Sequence, residues 1–426
     1  MSRSRGDDLF RALRLGRTGA RVTGHAVADG LRARLTRTER DWQPVADELR
    51  DTLAQLRGPL LKLGQTASQW RDVLPDSIAQ ALTSLRTEAD PVAWPAIRAV
   101  MEQELGEPPE AAFRWIDQEA MACASLGQVH RARLADGTAV VVKAQHPDMA
   151  AICEADLRQL RRLLPLGRLL GLPADRLEAV HTELAQAIRR ELDYASERAA
   201  LERFRERYAA RSDIAIPQPV TGYCSQRLIT LTDEPGETLA TARHWPAPVR
   251  NALAATLIDW AAESMLRHGE LHADPHPGNF GFRRDGTLVV YDFGCTVSVG
   301  ERLARAYAGG FQALQRHDPQ ALETAMQTLG SRRPGTTPPW SLYRELIRVM
   351  APALQPQRAW DFGDGRLHRE AMALMARVAE WLGELQPPAE AVLINRTLDG
   401  HYWTLHSLGA ELHLHETLLP HMPQTS

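Results

Sequence analysis

Part-way along this chain the period of its apolar residues changes, and that change limits the fold more than any other feature. From Asp41 to about Leu105 the pattern is helical, punctuated by Pro59, Pro75 and Pro91. Residues 113–116, 127–134 and 138–144 then read as three short strands, the last two joined by the turn Ala135-Asp136-Gly137. A helical stretch follows to about Leu170. After a Gly171-Leu172-Pro173 break comes one long charged helix from Ala174 to about Ala210. Residues 220–223 and 227–231 read as two more strands, closed by the polar connector Thr232-Asp233-Glu234-Pro235-Gly236. The rest is mainly helical, apart from an apolar run over 287–291 beside the segment 268–280. At 426 residues the chain exceeds the roughly 250–300 at which one core stops growing. The expectation is an α+β fold of two lobes. Residues 1–105 form an N-terminal helical extension, 106–235 a lobe with a small antiparallel sheet and a long helix, and 236–426 a helical lobe.

Composition removes several functional classes. With 44% hydrophobic and 24% charged residues the chain is neither disordered nor fibrous. A net charge of -3 argues against a nucleic-acid partner. Cys123, Cys153, Cys224 and Cys295 contain no CxxC pair, which fits a reducing compartment and supplies no zinc or redox framework. No apolar stretch approaches the about 18 residues that cross a bilayer, so a cytoplasmic protein is expected. Residues 1–40 carry ten Arg against four acids. They read either as a solvated arm or as a basic arm in peripheral contact with an anionic membrane.

Only two of the 50 basic residues are lysine, Lys62 and Lys143. Where arginine has replaced lysine almost everywhere, a surviving lysine marks a place that needs a compact point charge on a slim stem. Lys143 ends the β-branched run Val140-Val141-Val142. There it either snorkels to water or meets a carboxylate or an anionic ligand, because an unpaired buried ammonium is costly. Lys62 lies in a helical pattern that puts Gln65 on the same face at i, i+3. On the long charged helix Glu191, Asp193 and Glu197 follow one another. Asp193 and Glu197, at i, i+4, repel unless a cation intervenes, although all three also suit a solvated face.

The segment His272-Ala273-Asp274-Pro275-His276-Pro277-Gly278-Asn279 cannot be helical, so its two histidines are not a metalloprotease pair. It is a rigid loop presenting Asp274 and, five residues on, Asn279. After the strand 288–291 stands Asp292-Phe293-Gly294. Oxygen donors of this kind suit Mg²⁺ bound to phosphates, in the arrangement protein kinases use. Between the first two strands Ala122-Cys123-Ala124-Ser125-Leu126-Gly127 holds a single glycine, so the amide wrap of a glycine-rich phosphate loop is not expected.

With these motifs on the page the chain resembles the UbiB/AarF family of atypical protein-kinase-like ATPases, from about Asp51 to the C-terminus. Lys62-Leu63-Gly64-Gln65 matches its KxGQ signature, and Ala122, Cys123, Ala124 and Ser125 its alanine-rich loop, with Cys123 departing from alanine. Glu191 and Asp193 match its ExD motif, and Asn395-Arg396-Thr397-Leu398-Asp399-Gly400 also falls within the resemblance. The resemblance implies a two-lobed kinase-like fold and ATP and Mg²⁺ as cofactors. Lys143 would hold the phosphates and pair with Glu197, with the loop residues and the connector's Asp233 on the nucleotide. Asp274 would act on the acceptor, and Asn279 and Asp292 on the metal. It further implies that Lys62 and Gln65 gate the site against protein substrates by meeting Glu191 and Asp193. Both lysines are then expected in one magnesium-nucleotide cavity. The chain passes from Asp292-Phe293-Gly294 straight into a helical pattern, with no activation loop. Its tail from His401 is too interrupted for the anchoring helices of some members, so any membrane contact would be peripheral. The expected activity is Mg²⁺-dependent ATP hydrolysis or phosphotransfer linked to an isoprenoid lipid or quinone precursor. The alternatives are a phosphotransferase of the aminoglycoside or choline kinase type and a nucleotide-binding scaffold.

Overall fold

In a computed structural model of the chain the described residues are 42–44, 46, 47, 50, 77 and 91–423, without 124, 125, 170–173, 357 and 387. The chain divides into two units. One takes Met1–Arg198 with Pro219–Asp233, the other Ala199–Gln218 with Glu234–Ser426. The sequence expectation of a contiguous lobe over 106–235 did not separate 199–218, which group with the second unit.

The first unit begins with helix α1 (Trp94–Leu105), which has Pro95 in its first turn and is ended by Gly106 at φ +79°. A one-turn helix α2 (Pro109–Ala112) leads into the sheet. Strands β1 (Trp115–Ile116) and β2 (Ala122–Cys123) both pair with β3 (Gly127–Arg133). Beyond β3 lies β4 (Ala139–Gln145) and then β6 (Leu228–Thr232), every pairing antiparallel. The β3–β4 turn needs Gly137, at φ +91°, and Asp136 accepts the Thr138 amide at 2.9 Å. Burial alternates along β4. Val140, Val142 and Ala144 pack with Ile97 and Met101 of α1, so the intervening Val141 and Lys143 point to the opposite face.

Helices α3 (Met149–Leu169), α4 (Ala174–Glu191) and α5 (Tyr194–Arg207) follow. The buried His181 on α4 donates from Nε2 to the Leu157 carbonyl of α3 at 3.0 Å. Two expectations are corrected here. The long helix from 174 breaks at Leu192-Asp193, and residues 220–223 form a 3-10 turn (Thr221–Tyr223) rather than a strand. Part of the alanine-rich loop, Ala122 and Cys123, is strand.

The second unit centres on α7 (Ala247–Leu266), preceded by the short α6 (Leu239–Ala242). Leu253, Leu257 and Trp260 of α7 are fully buried, while Asp259 and Glu263 on the same helix pair with Arg211. Its strands form small ladders. β5 (Ile214–Ala215) pairs with β9 (Leu288–Val290), which pairs with β8 (Phe280–Phe282), while β7 (Glu270–His272) pairs with β10 (Thr296–Ser298). Later helices include α8 (Glu301–Gln315), α9 (Pro319–Leu329), α10 (Trp340–Met350), α11 (Arg366–Met375) and α12 (Val392–Leu408). Among the described residues no helix is long and apolar enough to cross a membrane.

Gly400 lies inside α12, where glycine is unfavourable against alanine by about 1 kcal/mol. The reason is contact: a Cβ there would sit 2.3 Å from Pro275 Cγ and 2.5 Å from Pro275 Cβ. Pro275 is buried and follows Asp274, so it cannot yield without moving the loop. Gly400→Ala should lower stability by about 1–3 kcal/mol despite its better helix propensity. A thermal melt reads this, and an unchanged Tm would show that α12 yields instead.

Candidate active site

In the first unit the alternation of β4 sends Lys143 to the face opposite α1. There its Nζ donates to both carboxylate oxygens of Glu197 at 2.9 Å. The Glu197 side chain is 3% exposed and that of Lys143 16%. Tyr194, one turn before Glu197 on α5, sets its ring 4.9 Å from the same ammonium. Tyr194 also explains the one glycine of the turn. A Cβ at Gly127 would lie 2.7 Å from the Tyr194 hydroxyl and 2.5 Å from the Ala144 carbonyl oxygen. Gly127 therefore serves close packing, and its presence gives no phosphate-wrapping loop.

The break before α5 is built from side chains. Gln145, at the end of β4, donates to the Leu192 carbonyl at 2.6 Å. Asp193 then caps α5: it accepts the Ser196 amide at 3.1 Å and the Ser196 hydroxyl at 2.7 Å. Asp193 is thus the cap of the helix that carries Glu197, and the cation beside Glu197 is Lys143. Asp193→Ala should cost about 1 kcal/mol, recovered in Asp193→Ser. A thermal melt reads this, and an Asp193→Ser variant that stays destabilised would show that the carboxylate does more than cap. Glu191 ends α4 and is half-buried. Asp233 is half-buried at the end of the sheet, its amide donating to the Ala139 carbonyl at 3.0 Å. Ala122 and Cys123 sit on β2 beside the turn, whereas Ala124, Ser125, Lys62 and Gln65 lie outside the described residues.

In the second unit two loops are held in register by ladders at both ends. β7 and β8 flank residues 273–279, and β9 and β10 flank residues 291–295. Because β7 pairs with β10 and β8 with β9, the loops are fixed side by side. Ala273 N–H donates to the Cys295 carbonyl at 2.8 Å and Tyr291 N–H to the Asn279 carbonyl at 2.9 Å. His272, 1% exposed, donates from Nε2 to the Asp292 carbonyl at 2.6 Å. Asp292 Oδ1 accepts the Gly294 amide at 2.8 Å. Asn279 donates its amide N–H to the Asp274 carbonyl at 3.3 Å, which leaves its oxygen as a donor to a cation. Asp274 Oδ1 accepts the His276 amide at 3.3 Å, and the carboxylate is half-buried. Phe293 is buried 4.9 Å from Phe204 and 5.4 Å from His272, ring to ring.

The donor set fits Mg²⁺ bound to phosphates. One carboxylate and one amide oxygen leave positions for water and phosphate oxygens, which is how that ion is usually held. Among the described residues no group of three or more His, Cys, Asp or Glu could hold a metal. Sequence reasoning missed Tyr194, although its i, i+3 spacing to Glu197 was readable. It also missed Gly400, whose signal was a glycine inside a helical pattern.

A family model described as the ABC1 atypical kinase-like domain matches residues 84–326. Among curated relatives, Protein ACTIVITY OF BC1 COMPLEX KINASE 8, chloroplastic, of Arabidopsis thaliana is 30% identical over 294 residues, covering 67% of this chain and 38% of that protein. Atypical kinase coq-8, mitochondrial, of Caenorhabditis elegans is 26% identical over 366 residues, covering 84% of this chain and 48% of the relative. The chain thus spans less than half the length of either. A solved structure, the complex of Rv3197 with erythromycin from Mycobacterium tuberculosis, covers 93% of this chain at 24% identity with a TM-score of 0.69, which is a likeness of fold.

Proposed function

Because the chain belongs to the ABC1 atypical kinase-like family, we propose that it binds ATP with Mg²⁺ and hydrolyses it, or passes its phosphoryl group to a small acceptor rather than to a protein. The observation that carries this reading is the clasp of Glu197 on Lys143, a buried carboxylate gripping an ammonium with both oxygens at 2.9 Å. A strand lysine so oriented is a phosphate ligand held in wait, because a structural pair alone would be no more stable than apolar packing.

Lys143 takes the phosphate oxygens, and Glu197 with Tyr194 fixes its direction. Asp292 and Asn279 take Mg²⁺, which when bound neutralises charge on the phosphates. Asp274 orients the attacking water or acceptor hydroxyl and receives its proton. Ala122, Cys123, Ala124, Ser125 and Asp233 border the nucleotide, while Lys62 and Gln65, with Glu191 and Asp193, restrict what else enters. The absence of an activation loop between Gly294 and α8 supports a small acceptor. The resemblance to the UbiB/AarF family supports a lipid or quinone-precursor acceptor, and with it a peripheral membrane setting.

Titration calorimetry with ADP, with and without Mg²⁺, tests the binding step, and ATPase rates with anionic liposomes and simple phenols test the coupling. Binding that requires Mg²⁺, with rates raised by liposomes or phenols, is expected. A phosphorylated phenol in product mass spectra would select phosphotransfer over hydrolysis. No heat of binding would overturn the reading.

A further inference from the structure

Three side chains of the second unit stand around one phenyl ring and bury polar atoms there. Phe280 opens β8, next to Asn279, and its ring lies 6.2 Å from that of Trp260, 5.6 Å from His272 and 6.0 Å from His401, centre to centre. Trp260 is fully buried, and His272 and His401 are each 1% exposed. Among the described residues Trp260 Nε1, His272 Nδ1 and both ring nitrogens of His401 have no hydrogen-bond partner. Such buried polar atoms are a cost that apolar side chains of similar shape would avoid.

Donors and acceptors among these atoms are complementary. His272 Nε2 meets the Asp292 carbonyl at 2.6 Å, and a carbonyl only accepts, so Nε2 carries the proton and Nδ1 is left as an acceptor. Burial first, and then the neighbouring His272, push the His401 imidazole down to about 3, so its neutral ring offers one donor and one acceptor. The Trp260 indole only donates. One water that accepts from His401 and donates to His272 Nδ1 satisfies an atom on each imidazole and keeps a lone pair for the indole, in line with the about three bonds a buried water makes. The helix that carries His401 also grips the loop 273–279 directly, since Gly400 closes on Pro275.

We propose that His401 is a positioning residue for the two loops that carry Asp292 and Asn279, acting through a buried water that it shares with His272. The water fixes the tautomer of His272, whose Nε2–H holds the Asp292 carbonyl, while the His401 ring backs Phe280, the neighbour of Asn279. This rests on the reading of Asp292 and Asn279 as Mg²⁺ ligands. Removing a group that orients metal ligands from behind commonly costs roughly 10–100-fold in metal affinity or activity.

The test uses the full chain. A high-resolution crystal structure should show solvent density within hydrogen-bond distance of both His272 Nδ1 and a His401 ring nitrogen, and long-range ¹H–¹⁵N spectra should place the His272 proton on Nε2. His401→Phe, close in shape, should melt at or above the wild-type temperature, yet need about tenfold more Mg²⁺ for half-maximal ATPase rate. His401→Gln, which keeps a donor and an acceptor, should recover most of that requirement. An unchanged Mg²⁺ requirement in His401→Phe overturns the proposal, and so does a raised one that His401→Gln leaves unrescued. If His401→Phe does not fold, the wild type decides: no density between the two imidazoles, or a His272 proton on Nδ1, overturns it. A wild type that turns over no ATP with Mg²⁺ is a different failure, since it removes the metal reading first and the positioning role with it.

Discussion

Replacing Lys143 with methionine will abolish useful ATP turnover and destabilise the protein at once. On the proposed function the catalytic loss follows from removing the charge that would meet the phosphates, for which on the order of 10²–10³-fold in kcat/KM is expected. The stability loss has a separate cause. Glu197 is buried, and the substitution withdraws an ammonium bonded to both its oxygens. Breaking such a pair from one side costs about 3–5 kcal/mol. Lys143→Met with Glu197→Leu should regain much of that stability and none of the rate. Lys143→Arg should restore part of the stability only, because its larger guanidinium must find room where a compact ammonium now sits 4.9 Å from the Tyr194 ring. Melts and steady-state rates on the four proteins check this, and rates that recover along with stability would make Lys143 a structural residue.

The second large effect is expected at Asp292. Asparagine preserves an acceptor for the Gly294 amide, which Asp292 now binds at 2.8 Å, so the loop should survive the change. The lost negative charge should remove Mg²⁺ and with it on the order of 10³-fold in rate, about 4 kcal/mol of barrier. A thermal-shift series with ADP should show the Mg²⁺-dependent rise in the wild type and none in Asp292→Asn, at nearly equal baseline Tm. A variant that keeps the Mg²⁺-dependent shift would move the metal to other ligands.

Readable residues were those whose chemistry has few bland uses. In an arginine-rich chain a lysine at the end of a Val run had to be explained, and the Lys143–Glu197 contact explains it. The loop 272–279 was readable because two prolines and a glycine exclude helix, and Asp292-Phe293-Gly294 because a short apolar run precedes it. The break at Leu192-Asp193 was not readable in the same way, since neither residue is Gly or Pro and the charged pattern runs through it. Its signal was subtler: an Asp with Ser three residues on, the makings of a cap. Residues 220–223 looked strand-like from their apolar content, but Gly222 sits in a tight 3-10 turn. Gln128 and His130, both buried in the sheet, were invisible as a pair, because polar residues two apart in a strand suggest a solvated face. Only α1 and the stretch leading into it, packed over the sheet, turn that face into a core. Lys62 and Gln65 remain a proposal from resemblance, as they lie outside the described residues.

The most direct measurement is a crystal structure of the full chain with Mg²⁺ and a non-hydrolysable ATP analogue. Phosphate oxygens within hydrogen-bond distance of Lys143 Nζ, with Mg²⁺ on Asp292 and Asn279 oxygens, is the expected result. A nucleotide bound away from Lys143, or a metal that touches neither Asp292 nor Asn279, would contradict it.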